Sequence, residues 1–134
     1  MKMHRLFLAG LFLLPLLLFS FSTDNAFRWV KLGSQKVNYQ LDKDVIYVSP
    51  MKGQFTHLKL NLNQGRINMH KVRVVYGNGQ ETTYPITRKM GPNQRTCVID
   101  LKGKRRNIAK IVLWYDTDNR SQRKGILTVF GLRI

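Results

Sequence analysis

Alternation of apolar and polar residues, repeated along most of the chain, limits this protein to a fold built from β-strands. In FTHLKLNL, residues 55–62, Leu58, Leu60 and Leu62 alternate with polar residues. Successive side chains of a strand point to opposite faces, so this pattern predicts a half-buried strand with one core face. Similar segments recur about every ten residues, which is typical of an antiparallel β-sandwich or barrel of eight or nine short strands. They lie at 28–32, 36–41, 44–50, 55–62, 67–76, 95–101, 108–115 and 126–134.

Two local signals refine this pattern. Asn78-Gly79 lies between alternating runs and predicts a tight hairpin, because both residue types take positive φ at low cost. Upstream, the apolar positions change from odd to even numbers near His70-Lys71. A change of phase reverses the buried face, so we expect a β-bulge or a break between strands there.

The first 26 residues have the layout of a secretory signal peptide. A basic start is followed by an apolar stretch, Leu6–Phe21, and then by small and polar residues. Ser20-x-Ser22 suits cleavage before Thr23, and Asp24-Asn25-Ala26 suits cleavage before Phe27. An uncleaved membrane anchor is the alternative, but the stretch is shorter than the roughly 20 residues that span a bilayer and contains a proline. We expect a helical signal peptide, residues 1–26, and one β-sandwich domain, residues 27–134, without a transmembrane segment after cleavage.

The chain is strongly basic. Removing residues 1–26 takes two of the 23 Lys and Arg residues and one of the seven Asp and Glu residues, so the formal net charge falls from +16 to +15. For a periplasmic or secreted protein, this charge indicates anionic cell-envelope polymers or lipid headgroups as partners, with only non-specific binding of nucleic acid. The oligomeric state is left open.

The basic residues are clustered along the chain. Solvation of a surface explains single clusters, but few acidic residues lie among these, whereas soluble surfaces normally mix both signs. Such a surface attracts polyanions with an affinity that falls as salt rises. The candidate polyanion-binding residues are Lys102, Lys104, Arg105, Lys110, Arg120, Arg123 and Lys124.

Candidate metal and catalytic residues are few. Asp42 and Asp44 precede a strand, and Asp116 and Asp118 follow one, so each pair could supply oxygen ligands for Ca²⁺. The alternative is that these residues form turns by bonding to the local backbone. No third residue type stands out to orient either mature histidine as a base. We therefore expect no enzyme and no cofactor, with a calcium-assisted carbohydrate-binding module as the alternative function.

Cys97 is the only cysteine, so the domain has no internal disulfide. The alternation in TCVIDL places it on the same face as Ile99 and Leu101. Free cysteine packs like a small hydrophobic residue, and we expect a buried, unreactive thiol.

Several segments resemble a family of small exported bacterial β-sandwich domains described only as a domain of unknown function. The most specific segment runs from Asp100 to Tyr115 and contains Gly103, Arg106 and Ile108 in a Gly-x-x-Arg-x-Ile pattern. The others are WVKLG (29–33), DKDVIYV (42–48), GQFTHLKL (53–60), VRVVYGNG (72–79) and TVFG (128–131).

This resemblance implies an all-β sandwich of the jelly-roll or galactose-binding-like type, without a known activity. It also implies structural roles for Arg106, Asp100 and Trp29. Arg106 would pin a turn by hydrogen bonds to carbonyls or to a carboxylate such as Asp100. Lys102, Lys104 and Arg105 then remain as free surface charges.

Overall fold

The computed structural model describes residues 28–37, 42–117 and 125–133, and this part of the chain is all-β. A short 3₁₀ turn, Pro50–Lys52, lies between the second and third strands. The ten strands are β1 (Arg28–Lys36), β2 (Asp42–Tyr47), β3 (Gln54–Phe55), β4 (His57–Leu62), β5 (Ile67–Tyr76), β6 (Glu81–Tyr84), β7 (Arg88–Met90), β8 (Thr96–Asp100), β9 (Arg106–Asp116) and β10 (Ile126–Arg133).

The strands form two antiparallel sheets. The four-stranded sheet has the order β1-β10-β4-β8, and the six-stranded sheet has the order β2-β9-β5-β6, with β3 beside β9 and β7 beside β5. Apart from the short β3 and β7, the strands form nested antiparallel pairs: β1 with β10, β2 with β9, β4 with β8, and β5 with β6. The sequence prediction of eight or nine strands misses β3 and β7 as separate strands, and it placed a separate strand at 36–41, where Lys36 is the last residue of β1.

Both sheets contribute to one hydrophobic core. Leu58, Leu60 and Leu62 are fully buried on the inner side of β4, as the alternation in residues 55–62 predicts. Across the core lie buried side chains of β5 and β9, including Val72, Val74, Ile111, Leu113 and Tyr115. Burial of this apolar area is the main force that holds the sheets together.

Cys97 is buried in the same core, beside Ile99 on β8. Burial raises the pKa of its thiol. The sequence prediction of a buried thiol is therefore confirmed.

The hairpin after β5 is confirmed, but its turn differs from the predicted form. Gly79 has a φ of 92°, whereas Asn78 does not have a positive φ. The amide of Gly79 donates to the carbonyl of Tyr76 at 3.0 Å, and the Asn78 side chain accepts from the amide of Gln80 at 3.1 Å. This is a longer turn that closes on one left-handed glycine, so Asn78 contributes its side chain instead of a positive φ.

The change of phase near His70-Lys71 is a bulge within a single strand. Met69 lies opposite Tyr115 and Lys71 opposite Trp114, so His70 is the extra residue of β5. Because the bulge inserts one residue, His70 and Lys71 both lie on the outer side of the six-stranded sheet.

The first strand is longer than predicted and includes Gly33. A Cβ at Gly33 would lie 2.6 Å from the Cγ2 atom of Ile46, so any larger residue at this position would require Ile46 or the strand to shift. The register of β1 against β10 also shifts between Lys31 and Gly33. Of the predicted strand 36–41, residues 38–41 lie outside the described residues.

The predicted signal peptide, Asp118, Arg120, Arg123 and Lys124 also lie outside the described residues. Among residues 28–37, 42–117 and 125–133, no helix is long and apolar enough to cross a bilayer.

Candidate anion-binding surface

The basic turn between β8 and β9 is held by Arg106. Its guanidinium donates to Gln80 Oε1 at 2.8 Å and to the carbonyl of Lys102 at 3.4 Å. The same group lies over the ring of Tyr76, 3.8 Å from the ring centroid. Arg106 thereby connects the turn to the β5–β6 hairpin.

The other charges of this turn point into solvent. Lys102, Lys104 and Arg105 are exposed, and none of their side chains has a hydrogen bond or ion pair with the described residues. The turn itself is anchored through its backbone, because the amide of Lys102 donates to the hydroxyl of Tyr84 at 2.9 Å. Burial and a hydrogen bond to Tyr76 raise the pKa of Tyr84 to about 12, so this phenol stays neutral.

Asp100 is not a partner of Arg106 in this arrangement. Its side chain is 83% exposed, and its carboxylate lies 3.5 Å from His57 Nε2. The third residue given a structural role, Trp29, lies on the outer side of the four-stranded sheet and is 37% exposed. The ammonium group of Lys59 sits over the Trp29 ring at 4.5 Å.

The outer side of the six-stranded sheet is centred on Trp114. The ammonium group of Lys71 lies 4.5 Å from the centroid of the Trp114 ring, and the guanidinium of Arg73 lies 4.9 Å from it. Lys43 is opposite Trp114 on the neighbouring strand β2. An aromatic ring thus lies among three cationic side chains.

Lys110 continues this row toward the basic turn. It lies opposite Tyr47 on β2 and Val75 on β5, and Tyr47 is 76% exposed. Between Lys110 and Trp114, Val112 is buried but is not part of the core between the sheets. Since a strand rises about 3.3 Å per residue, Lys110 and Trp114 are about 13 Å apart along β9. We call Lys104, Lys110, Trp114, Lys71 and Arg73 the β9 row.

The β9 row contains few opposing charges. Glu81 lies 3.8 Å from the guanidinium of Arg73 and is paired with it. At the far end, Asp116 accepts hydrogen bonds from Asn68 at 2.7 Å and binds His70 Nε2 at 2.5 Å. The hydrogen bonds from Asn68 and His70 hold the pKa of Asp116 below its usual value of 3.8.

A pocket of about 650 Å³ lies beside the β9 row, next to the basic turn. Three separate segments form its walls: the end of β2 with the 3₁₀ turn, the start of the β5–β6 hairpin, and the start of β9. The exposed side chains around it are Pro50, Gln54, Asn78, Arg105, Asn107 and Ala109.

Two of the four aspartates proposed as calcium ligands, Asp44 and Asp116, have protein partners. Asp44 accepts a hydrogen bond from the hydroxyl of buried Tyr115 at 2.5 Å, whereas Asp116 lies on the outer side of the same sheet. Within the described ranges, no group of three or more His, Cys, Asp or Glu residues is placed to hold a metal ion. Asp118 lies outside the described residues, and of Asp42 only the backbone position is described.

Sequence reasoning identified the basic turn and Lys110 as candidates, but it missed the pocket. Gln54, Asn78 and Asn107 carry no pattern that joins them, because they are brought together only by the pairing of β9 with β2, β3 and β5.

The fold and this surface define a small all-β domain with a basic, aromatic-bearing sheet face. The chain belongs to the family described as Domain of unknown function (DUF2541), which it matches over residues 9–131. No curated protein and no solved structure matches the chain.

Proposed function

We propose that this protein is an exported, non-enzymatic binding module that contacts anionic envelope polymers or lipid headgroups through its basic surface. The observation that carries the proposal is the β9 row, in which Lys104 and Lys110 lead along β9 to the half-buried ring of Trp114, and Lys71 and Arg73 of β5 lie over that ring. Cations that lie near aromatic rings can bind anionic groups while the ring packs against the ligand.

The shape of the β9 row favours a polymer over a bilayer. Its length runs along the strands, from Lys104 and Lys110 to Lys71. Its width runs across the strands, where Lys43 and Lys71 are about 10 Å apart, which is two strand spacings. This surface is long and narrow, which suits an extended chain with regularly spaced charges. The pocket beside it indents the surface, whereas a bilayer contact favours a flat or protruding one.

The proposal also includes the topology of the sandwich and the location of the protein. We infer that the sandwich is a jelly roll, and the nested strand pairs β1–β10, β2–β9, β4–β8 and β5–β6 support this topology. We also propose export to the periplasm or the medium. The apolar segment Leu6–Phe21 behind a basic start supports it. Mass spectrometry of the isolated protein tests export, because a cleaved chain begins at Thr23 or Phe27.

Binding of labelled polygalacturonate, measured by fluorescence anisotropy, tests the polymer proposal. The test variant replaces Lys104 and Lys110 with glutamate, and we expect its affinity to fall by about tenfold at low salt. The matched control replaces Arg28 and Lys36, which are exposed on β1 of the other sheet, with glutamate. Both variants change the net charge by the same amount, so only the location differs.

Equal loss of affinity in both variants would show that binding follows net charge and would contradict the proposed site. Vesicles containing phosphatidylglycerol form the second arm of the experiment. If they retain the unaltered protein while polygalacturonate does not, lipid headgroups replace the polymer as the partner. Melting temperatures of both variants show that each remains folded.

A further inference from the structure

The pocket beside the basic turn has a preorganised polar frame. The amide of Asn107 donates to the carbonyl of Gly53 at 3.2 Å and accepts from Gln54 Nε2 at 3.2 Å. On the opposite wall, Asn78 donates to Gln80 Oε1 at 3.1 Å, and Gln80 in turn accepts from Arg106. These contacts fix the side chains of Asn107, Gln54 and Asn78, so a ligand would not have to order these three residues.

Small residues keep the space in the pocket open. Ala109 is exposed and is an extra residue of β9. Lys110 lies opposite Val75 and Ile108 lies opposite Tyr76, so Ala109 has no opposite residue on β5. Gly77, across the pocket, makes a backbone hydrogen bond to the carbonyl of Asn107 at 2.9 Å. A volume of about 650 Å³ is within the range of small-molecule sites and exceeds that of one sugar ring.

The chemistry around this space combines one available cation with hydrogen-bonding amides. Arg105 is exposed on the rim, without a polar partner in the part of the chain that the structure describes. Gln54 uses its amide nitrogen for Asn107 and leaves its carbonyl oxygen to accept a further hydrogen bond. The exposed apolar side chains, Pro50 and Ala109, are small. Buried Val48, Tyr76 and Ile108 also line the space, so a sugar ring can place its apolar C–H groups against them while its anionic group reaches Arg105.

We propose that this pocket binds a single sugar unit carrying a carboxylate or a phosphate, with Arg105 as the partner of the anionic group. The inference rests on the proposed function, because it assigns the pocket to a terminal or side unit of the polymer that lies along the β9 row. A planar guanidinium can hold either anion through two parallel hydrogen bonds.

Calorimetric titration of the full chain with three probes tests the proposal: glucuronate, glucose 6-phosphate and glucose. We expect at least one anionic probe to bind with a Kd below about 10 mM and glucose to bind at least about tenfold more weakly. Comparison of the two anionic probes tells whether the pocket prefers a carboxylate or a phosphate.

Variants decide whether the pocket is the site. Ala109→Phe fills it without removing a charge, and Arg105→Gln removes the proposed anion partner; each should lower the affinity about tenfold or more. Arg28→Gln is the matched control, because it removes the same exposed charge from β1 of the other sheet, outside the pocket lining, and it should change the affinity less than twofold. If Ala109→Phe does not fold, Arg105→Gln alone gives the answer.

Absence of saturable binding of both anionic sugars, or unchanged binding by Arg105→Gln, would overturn the pocket assignment. Polymer binding that still depends on Lys104 and Lys110 would then leave the proposed function intact. The opposite outcome is also distinguishable. If the anionic sugars bind as expected but the Lys104/Lys110 variant keeps full polymer affinity, the pocket is supported and the β9 row is refuted.

Discussion

Arg105 and Arg106 are adjacent in the sequence, but Arg106 makes contacts that hold the basic turn, whereas the side chain of Arg105 is exposed. Replacing Arg106 with alanine removes the 2.8 Å hydrogen bond to Gln80, the longer bond to the carbonyl of Lys102 and the contact with the Tyr76 ring. The 2.8 Å hydrogen bond contributes about 1 kcal/mol, the cation–π contact at a partly exposed site contributes about 0.5–1 kcal/mol, and the 3.4 Å bond adds little because of its length. We therefore expect Arg106→Ala to lower the free energy of unfolding by about 2 kcal/mol.

Urea unfolding followed by tryptophan fluorescence measures this change. In a domain of this size a loss of about 2 kcal/mol corresponds to a fall in Tm of about 8–10 °C. Arg105→Ala is the matched control, because its exposed side chain lacks a partner in the described residues, and its effect should stay within about 0.5 kcal/mol. Equal destabilisation by the two variants would refute the division of the basic turn into one structural and one free arginine.

Three further predictions concern the core and the titrating groups. Leu60→Ala should lower the free energy of unfolding by about 3 kcal/mol, because Leu60 is fully buried at the centre of its sheet; a loss below about 1 kcal/mol in urea unfolding would contradict this. Asp116 has its pKa lowered by Asn68 and His70, so its stabilising contribution is present above its ordinary pKa of 3.8 and is lost as the pH falls through the lower folded value. Acid unfolding of Asp116→Asn should consequently show a weaker pH dependence than that of the unaltered protein, and identical curves would contradict the assignment. Iodoacetamide should modify Cys97 far more slowly in the folded protein than in urea, and equal rates would show that the thiol is accessible.

Much of the fold is predictable from the sequence, because alternation acts locally. The pattern in residues 55–62 predicts β4 and its buried face, and the change of phase near His70 predicts the bulge in β5. Asn78-Gly79 predicts the hairpin, although the turn closes on a single left-handed glycine. In each case the signal lies within a few residues of the structure that it specifies.

Pairing between distant strands is not predictable in the same way. β1 pairs with β10, and β3, which has only two residues, pairs with the start of β9. These choices depend on how whole faces pack against each other, and no local pattern encodes them. The pocket shares this limit, since Gln54, Asn78 and Asn107 meet only after the sheet is formed.

The basic turn between β8 and β9 shows what the sequence can predict about a charged surface and what it cannot. Its residue types predicted an anion-attracting surface, and the family resemblance already set Arg106, as a structural residue, apart from the free charge of Arg105. The sequence could not identify the partners of Arg106, because Gln80 and Tyr76 arrive from the β5–β6 hairpin. It also could not place Arg105 beside a pocket. The charge of each residue is therefore readable from the sequence, whereas its contacts are not.

The location of bound polymer on the domain is the most direct test of the central claim. Titration of the ¹⁵N-labelled protein with polygalacturonate oligomers, followed by ¹H–¹⁵N spectra, reports which amide groups change their environment. Our account predicts that the largest shifts occur in the basic turn, residues 102–105, at Lys71 and Lys110, and at the indole N–H of Trp114. Shifts concentrated on β1 and β8 of the four-stranded sheet, with the β9 row unchanged, would contradict it.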